Sequence, residues 1–250
     1  MKMVLKLTDM TISNQSKNKY KYKVKLDIKQ DADNWYTGCT RASLHGIDFT
    51  ERAPKEIIEK IRGMNEKEAF KFLIPYLKEK YITEKDEIDK YITYVKNEYS
   101  QKFNKGCQKV VNILGKPIYR NDFTTFISTF PRGPYNYEHG YTWQPVGWLD
   151  PIRGFLHELM HFQFIHYYRN NPDSAVSKLS NEQFEYLKES LTIILNKDFV
   201  PLISMSDKGY EKHKNFRQEL KLFWESNKNF DELVEFGLKR IPHYVPSSKK

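Results

Sequence analysis

The stretch GFLHELMHFQF, Gly154 to Phe164, decides how the chain is read. It sets two histidines and a glutamate into an almost continuously apolar run, where each buried polar group costs roughly 1–3 kcal/mol unless it finds a partner. Asp150 and Pro151 just upstream mark a helix start, a side-chain cap followed by a residue whose missing N–H is no loss at the first position. Asn170-Asn171-Pro172 marks its stop. On such a helix His157 and His161 lie about 40° apart in azimuth and one turn apart in height, so both can grip one ion. Glu158 stands about 100° around from His157, where it can hold a water on the open side of that ion. The apolar flanks predict a helix buried on nearly all sides, which would exclude water and stiffen the ligands.

Outward from this helix the chain reads as α+β. YKYKVKLDIK, residues 20–29, alternates strictly, with Tyr20, Tyr22, Val24, Leu26 and Ile28 on one face, the pattern of a half-buried strand. With VLKL at residues 4–7 before it, a small N-terminal hairpin or sheet is expected. From residue 54 the period becomes helical: PKEIIEKI, then NEKEAFKFLIPYLKEKY, where Asn65 and Glu68 form a capping box and Pro75 is expected to bend or break the helix. Thr83 ahead of Asp86 signals a third helix, with Ile88, Tyr91, Ile92, Val95 and Tyr99 at three- and four-residue spacing. DFTTFISTF, residues 122–130, is rich in β-branched and aromatic residues and reads as a strand. PRGPYNYEHGYTWQPVGWLD, between that strand and the motif helix, reads as a long loop, either a wall or lid of a site or an aromatic cover on the outside of the core. Ser180 with Gln183 starts a helix running to about Asn196, and two more follow at about 213–226 and 230–240. The expectation is a single domain over residues 1–250: a β-rich region at 1–50, a helical region at 51–118, the strand, loop and two site helices at 119–200, and C-terminal helices at 201–250.

The net charge is +9 and the sequence pI about 9.2. The lysines alternate with glutamates along helical segments such as KEIIEKIRGMNEKEAFKF, the pattern of a solvated face rather than of a nucleic-acid surface. Cys39 and Cys107 stand far apart without CxxC spacing, which argues against a disulfide framework and against thiolate metal binding. With no signal-peptide core in the first residues and no run of roughly 20 apolar residues, a cytoplasmic protein with no membrane span is expected.

HELMH in this setting resembles the active-site helix of the zincin metallopeptidases, over roughly residues 120 to 200. The resemblance implies a Zn2+ site and a mixed sheet whose edge strand, here DFTTFISTF, precedes the motif helix and pairs with an extended peptide or protein substrate. A catalytic zinc takes three protein ligands and keeps a fourth position for water. The metzincin pattern would need Gly and His where this chain has Phe164 and Tyr167. His166, about 180° around from His157, points elsewhere. The gluzincin pattern takes a glutamate from the next helix, where Glu182, Glu185 and Glu189 share a face. Gluzincin ligands are often followed by small residues, and Ser190 and Thr192 fill those places after Glu189, which becomes the leading third ligand with Glu182 and Glu185 as rivals. Lys188 stands where the family often has Asn, and the gap from His161 is longer than in many gluzincins.

The resemblance implies a zinc-dependent hydrolase of peptide bonds in which Glu158 is the general base and a downstream Tyr or His assists the oxyanion. Tyr210 and His213 lead that group, with His243 and Tyr244 behind them. The alternatives are the same fold acting on a different bond, or a non-catalytic protein with a structural or absent metal and a basic surface for an acidic partner.

Overall fold

The computed structural model describes residues 19–246 except 42, 44 and 45. The expected VLKL strand and the last four residues of the tail lie outside these. The described chain is α+β, mostly helical around a small mixed sheet.

Strand β1, Lys21–Leu26, alternates as expected, with its lysines exposed and Tyr22, Val24 and Leu26 half-buried. It ends sooner than the sequence pattern indicates. Asp27 accepts from the amides of Lys29 and Gln30 and caps helix α1, Ile28–Thr40, so Ile28 opens a helix and the N-terminal region is not simply β-rich. Helix α2, Lys55–Arg62, and helix α3, Glu66–Thr83, follow, the latter started by the Asn65–Glu68 capping box. Pro75 does not end α3. It lies on the exposed face, while Leu73 and Leu77 on the opposite face hold the helix in the core. Thr83 is the last residue of α3, its hydroxyl bonded back to Glu79 and Lys80 carbonyls, and does not cap helix α4, Lys85–Leu114.

The sheet order is β1-β2-β4-β3. Strand β2, Asp122–Ser128, is parallel to β1 on one side and to β4, Tyr141–Pro145, on the other. It is therefore an interior strand, not an edge, and no substrate backbone can pair with it. Among the described residues the edge strands are β1 and β3, Tyr135–Asn136, the latter antiparallel to β4. Both β3 and β4 fall in the stretch expected to be an irregular loop. Its Pro and Gly residues bracket the strands, and Tyr141, Thr142 and Trp143 supply the strand formers.

Helices cover both faces of β2. On one, Phe123 meets Phe155 edge to face and Tyr99 bonds Thr125. On the other, buried Asp31 of α1 accepts from Ser128 Oγ at 2.6 Å, Thr129 N at 3.0 Å, Thr129 Oγ1 at 2.8 Å and Tyr81 Oη of α3 at 3.0 Å. The α1–α3 layer has its own apolar cluster, including Trp35, Ile61, Leu73, Leu77 and Phe130. The larger core joins α4 to the motif helix α5, Pro151–Phe164, through Phe103 and Phe155, whose centroids are 4.6 Å apart.

Helix α5 continues through a π-turn at Ile165–Arg169 and stops at Asn170. Helix α6, Asn181–Leu191, starts at the Ser180–Gln183 capping box and passes through a 3-10 turn into the short α7, Leu195–Asp198. Helices α8, Lys214–Asn227, and α9, Phe230–Arg240, complete the fold close to their expected positions.

Candidate metal centre

Asp150 sets the start of α5. Its Oδ1 accepts from Arg153 N at 3.0 Å, while Oδ2 accepts from Ser204 N at 2.6 Å, Ser204 Oγ at 3.0 Å and Met205 N at 2.9 Å. One carboxylate thus caps the motif helix and holds a loop fifty residues downstream. Gly154 lets α5 settle on β4, since a Cβ there would lie 2.5 Å from Gln144 Nε2.

Two turns into α5 the imidazoles of His157 and His161 have ring centroids 4.4 Å apart. Glu189 reaches them from α6: Oε2 lies 3.4 Å from His157 Nε2, and Oε1 3.6 Å from His161 Nε2. Glu189 thus presents one carboxylate oxygen to each Nε2, and imidazole nitrogen and carboxylate oxygen are donor types that a zinc site takes. His161 Nε2 is also buried and, among the described residues, makes no hydrogen bond, which leaves its lone pair open to a metal ion. Glu182 is exposed, and Glu185 is engaged by Lys188 Nζ at 2.7 Å, so the geometry brings only the third of the rival glutamates to the histidines.

Hydrogen bonds set the direction of each ring. His157 Nδ1 is 2.9 Å from Asp207 Oδ2, and His161 Nδ1 is 3.1 Å from Glu158 Oε2. Both rings therefore turn Nε2 inward, the tautomer that a carboxylate behind a metal-binding histidine enforces. His157, Glu158 and His161 each offer a ligand atom within 4.8 Å of the others. Glu158 stays 13% exposed at its side chain, and among the described residues its Oε1 takes no hydrogen bond.

Asp207 is itself held tightly. Its amide donates to Asn196 Oδ1, and its carbonyl accepts from Asn196 Nδ2 and from Arg217 Nη2 at 2.7 Å. Arg217 Nη1 donates to the Glu189 carbonyl at 2.9 Å and to Thr192 Oγ1 at 2.8 Å, so one guanidinium joins the backbones of Glu189 and Asp207. Burial opposes the charge on His157, but Asp207 and Glu189 outweigh it and lift its pKa well above the imidazole norm. Burial, with His157 and Lys188 nearby, holds His161 below that norm. Burial raises Glu189 and Asp207, yet the histidines and the cations beside them carry both well below the carboxylate norm.

Tyr210 is largely buried, and burial together with the charges of Glu189, Glu158 and Asp207 pushes its phenol pKa up, which keeps it protonated beside the centre. His213 is fully buried behind it, against the rings of Tyr186 and Tyr210 at 4.1 and 5.4 Å. His243 is exposed, and Tyr244 bonds Glu219, so neither belongs to the cluster. His166 is exposed, with Nδ1 2.9 Å from Tyr137 Oη. Asp207, Arg217 and Tyr135 have no counterpart in the sequence reading of the site, and Lys188 entered it only as a departure from the family pattern. Cys39 and Cys107 are both free and buried. Among the described residues no helix is long and apolar enough to cross a membrane.

Comparison with known protein families, curated proteins and solved structures finds no match for this chain. Its functional reading rests on the residues themselves.

Proposed function

We propose that this chain is a zinc-dependent hydrolase, a metallopeptidase of gluzincin type working in the cytoplasm, with His157, His161 and Glu189 as the metal ligands. The supporting observation is the buried Glu189 carboxylate with its oxygens 3.4 Å from His157 Nε2 and 3.6 Å from His161 Nε2, the latter a buried nitrogen with no hydrogen bond among the described residues. Zinc held there supplies a Lewis acid and a water acidified toward neutral pH. Glu158, anchored through Oε2 to His161, uses Oε1 to take a proton from the attacking water and return it to the leaving amine. Tyr210, kept protonated, donates to the developing oxyanion. His213 backs the Tyr210 ring and does not meet substrate. Peptide substrate enters over the β3 edge, beside Tyr135, whose ring is 5.5 Å from that of His161.

Elemental analysis of the purified protein tests the reading. Wild type should hold near-stoichiometric zinc and Glu189→Ala should lose most of it. Glu158→Gln should keep the metal while cleavage of a peptide library drops by about 10²–10⁴-fold. Absence of zinc from reconstituted wild type would remove the metal reading, and full activity in Glu158→Gln would remove the mechanism.

A further inference from the structure

Lys188, adjacent to Glu189 in α6, is a buried charge that the reaction above does not use. Its side chain is 1% exposed. A lysine serving only to solvate a helix face extends its ammonium into water, and burying one is costly unless partners surround it. Here they do. Nζ donates to Glu185 Oε2 and to Tyr135 Oη, each at 2.7 Å, lies 3.6 Å from Glu189 Oε1, and stands 4.9 Å from the centroid of the Tyr135 ring. Tyr135 belongs to the edge strand β3 and its ring also contacts His161. The ammonium therefore touches the carboxylate that faces both histidines and, on its other side, the strand that borders them.

We infer that Lys188 is a positioning residue, which fixes the Glu189 carboxylate against His157 and His161 and sets the spacing between α6 and β3. The inference rests on the metal reading above and acts through Glu189; Lys188 itself meets neither metal nor substrate. Arginine in its place keeps the charge and several donors, whereas methionine keeps only the length.

Cobalt(II) bound to the full-length protein in place of zinc tests this, because its visible absorption reports ligand number and geometry at the ion. Wild type is expected to take up one cobalt with the intense bands of a four-coordinate site. Lys188→Met and Tyr135→Phe, each checked for folding by circular dichroism, are expected to shift those bands and lower their absorptivity several-fold. Lys188→Arg is expected to restore most of the wild-type spectrum. A wild-type spectrum in Lys188→Met, or in Tyr135→Phe should the methionine variant not fold, overturns the inference and leaves the metal reading standing. Failure of wild type to bind cobalt or zinc overturns both.

Discussion

Asp207 reaches His157 from a loop fifty residues further along the chain, and its carboxylate on Nδ1 leaves Nε2 as the nitrogen facing Glu189. Carboxylates in this position behind a ligating histidine commonly account for about 10–100-fold in metal affinity. Asp207→Asn keeps the size of the side chain and removes its charge. Zinc affinity, measured by competition with a chelator, should fall by about 10–100-fold with the fold retained; unchanged affinity would reduce Asp207 to a loop-fastening role. The two histidines and Glu158 were legible in the sequence because a four-residue repeat on a helix is geometry already. Glu182, Glu185 and Glu189 were equivalent by spacing, and what separates them is burial and the Lys188 contact, which spacing does not encode. Asp207 and Arg217 gave no signal, since SMSDKG reads as a solvent turn and KNFRQEL as a solvated helix.

Helix α5 owes its place to Gly154 as much as to its apolar face. In Gly154→Ala the methyl carbon would meet Gln144 Nε2 at 2.5 Å, and Gln144 also donates to the Pro151 carbonyl at 3.1 Å. Alanine would gain about 1 kcal/mol of helix propensity, but the collision is expected to win, with a net loss of about 1–3 kcal/mol in urea unfolding. A variant as stable as wild type would show that Gln144 yields freely. Gly106 plays the same part for α4, where a Cβ would lie 2.8 Å from Leu156 Cδ2. The starts of α3 and α6 were readable because their capping boxes are local chemistry, whereas α6 gives way to a 3-10 turn after Leu191, short of the expected Asn196, and Pro75 does not end α3. Helix α1 was not, because Asp31, Asn34 and Thr37 occupy buried positions and break its apolar period. They serve the polar cluster at the end of β2, a tertiary demand invisible in a local window.

At the scale of the molecule, two apolar clusters flank one thin sheet, and the residues of the candidate metal centre come from the larger side, on α5, α6 and the loop before α8. The C-terminal pair α8 and α9 is clamped by Glu219, which accepts from Arg240 Nε at 2.8 Å, Arg240 Nη2 at 2.9 Å and Tyr244 Oη at 2.7 Å. The Arg240 bonds hold the Glu219 carboxyl below its usual pKa. A carboxyl with a lower pKa in the folded state binds fewer protons there, so its contribution is full above the unfolded value of about 4.3 and fades as pH falls through the folded one. Glu219→Gln should therefore melt below wild type at neutral pH and converge with it in acid, once the Glu219 carboxyl is protonated in the folded state as well; a gap independent of pH would mean that packing, not charge, sets the effect. The α+β class and the C-terminal helices were legible at this scale, whereas the interior place of β2 depends on β4, whose strand formers sit between prolines and glycines. Asp150 gives the two halves of the centre a common fate. Because one oxygen caps α5 and the other holds Ser204 and Met205, the loop bearing Asp207 cannot peel away without disturbing the first turn of the helix bearing His157. The centre is then expected to open as one cooperative unit, its amides exchanging hydrogen with a single opening free energy instead of fraying piece by piece.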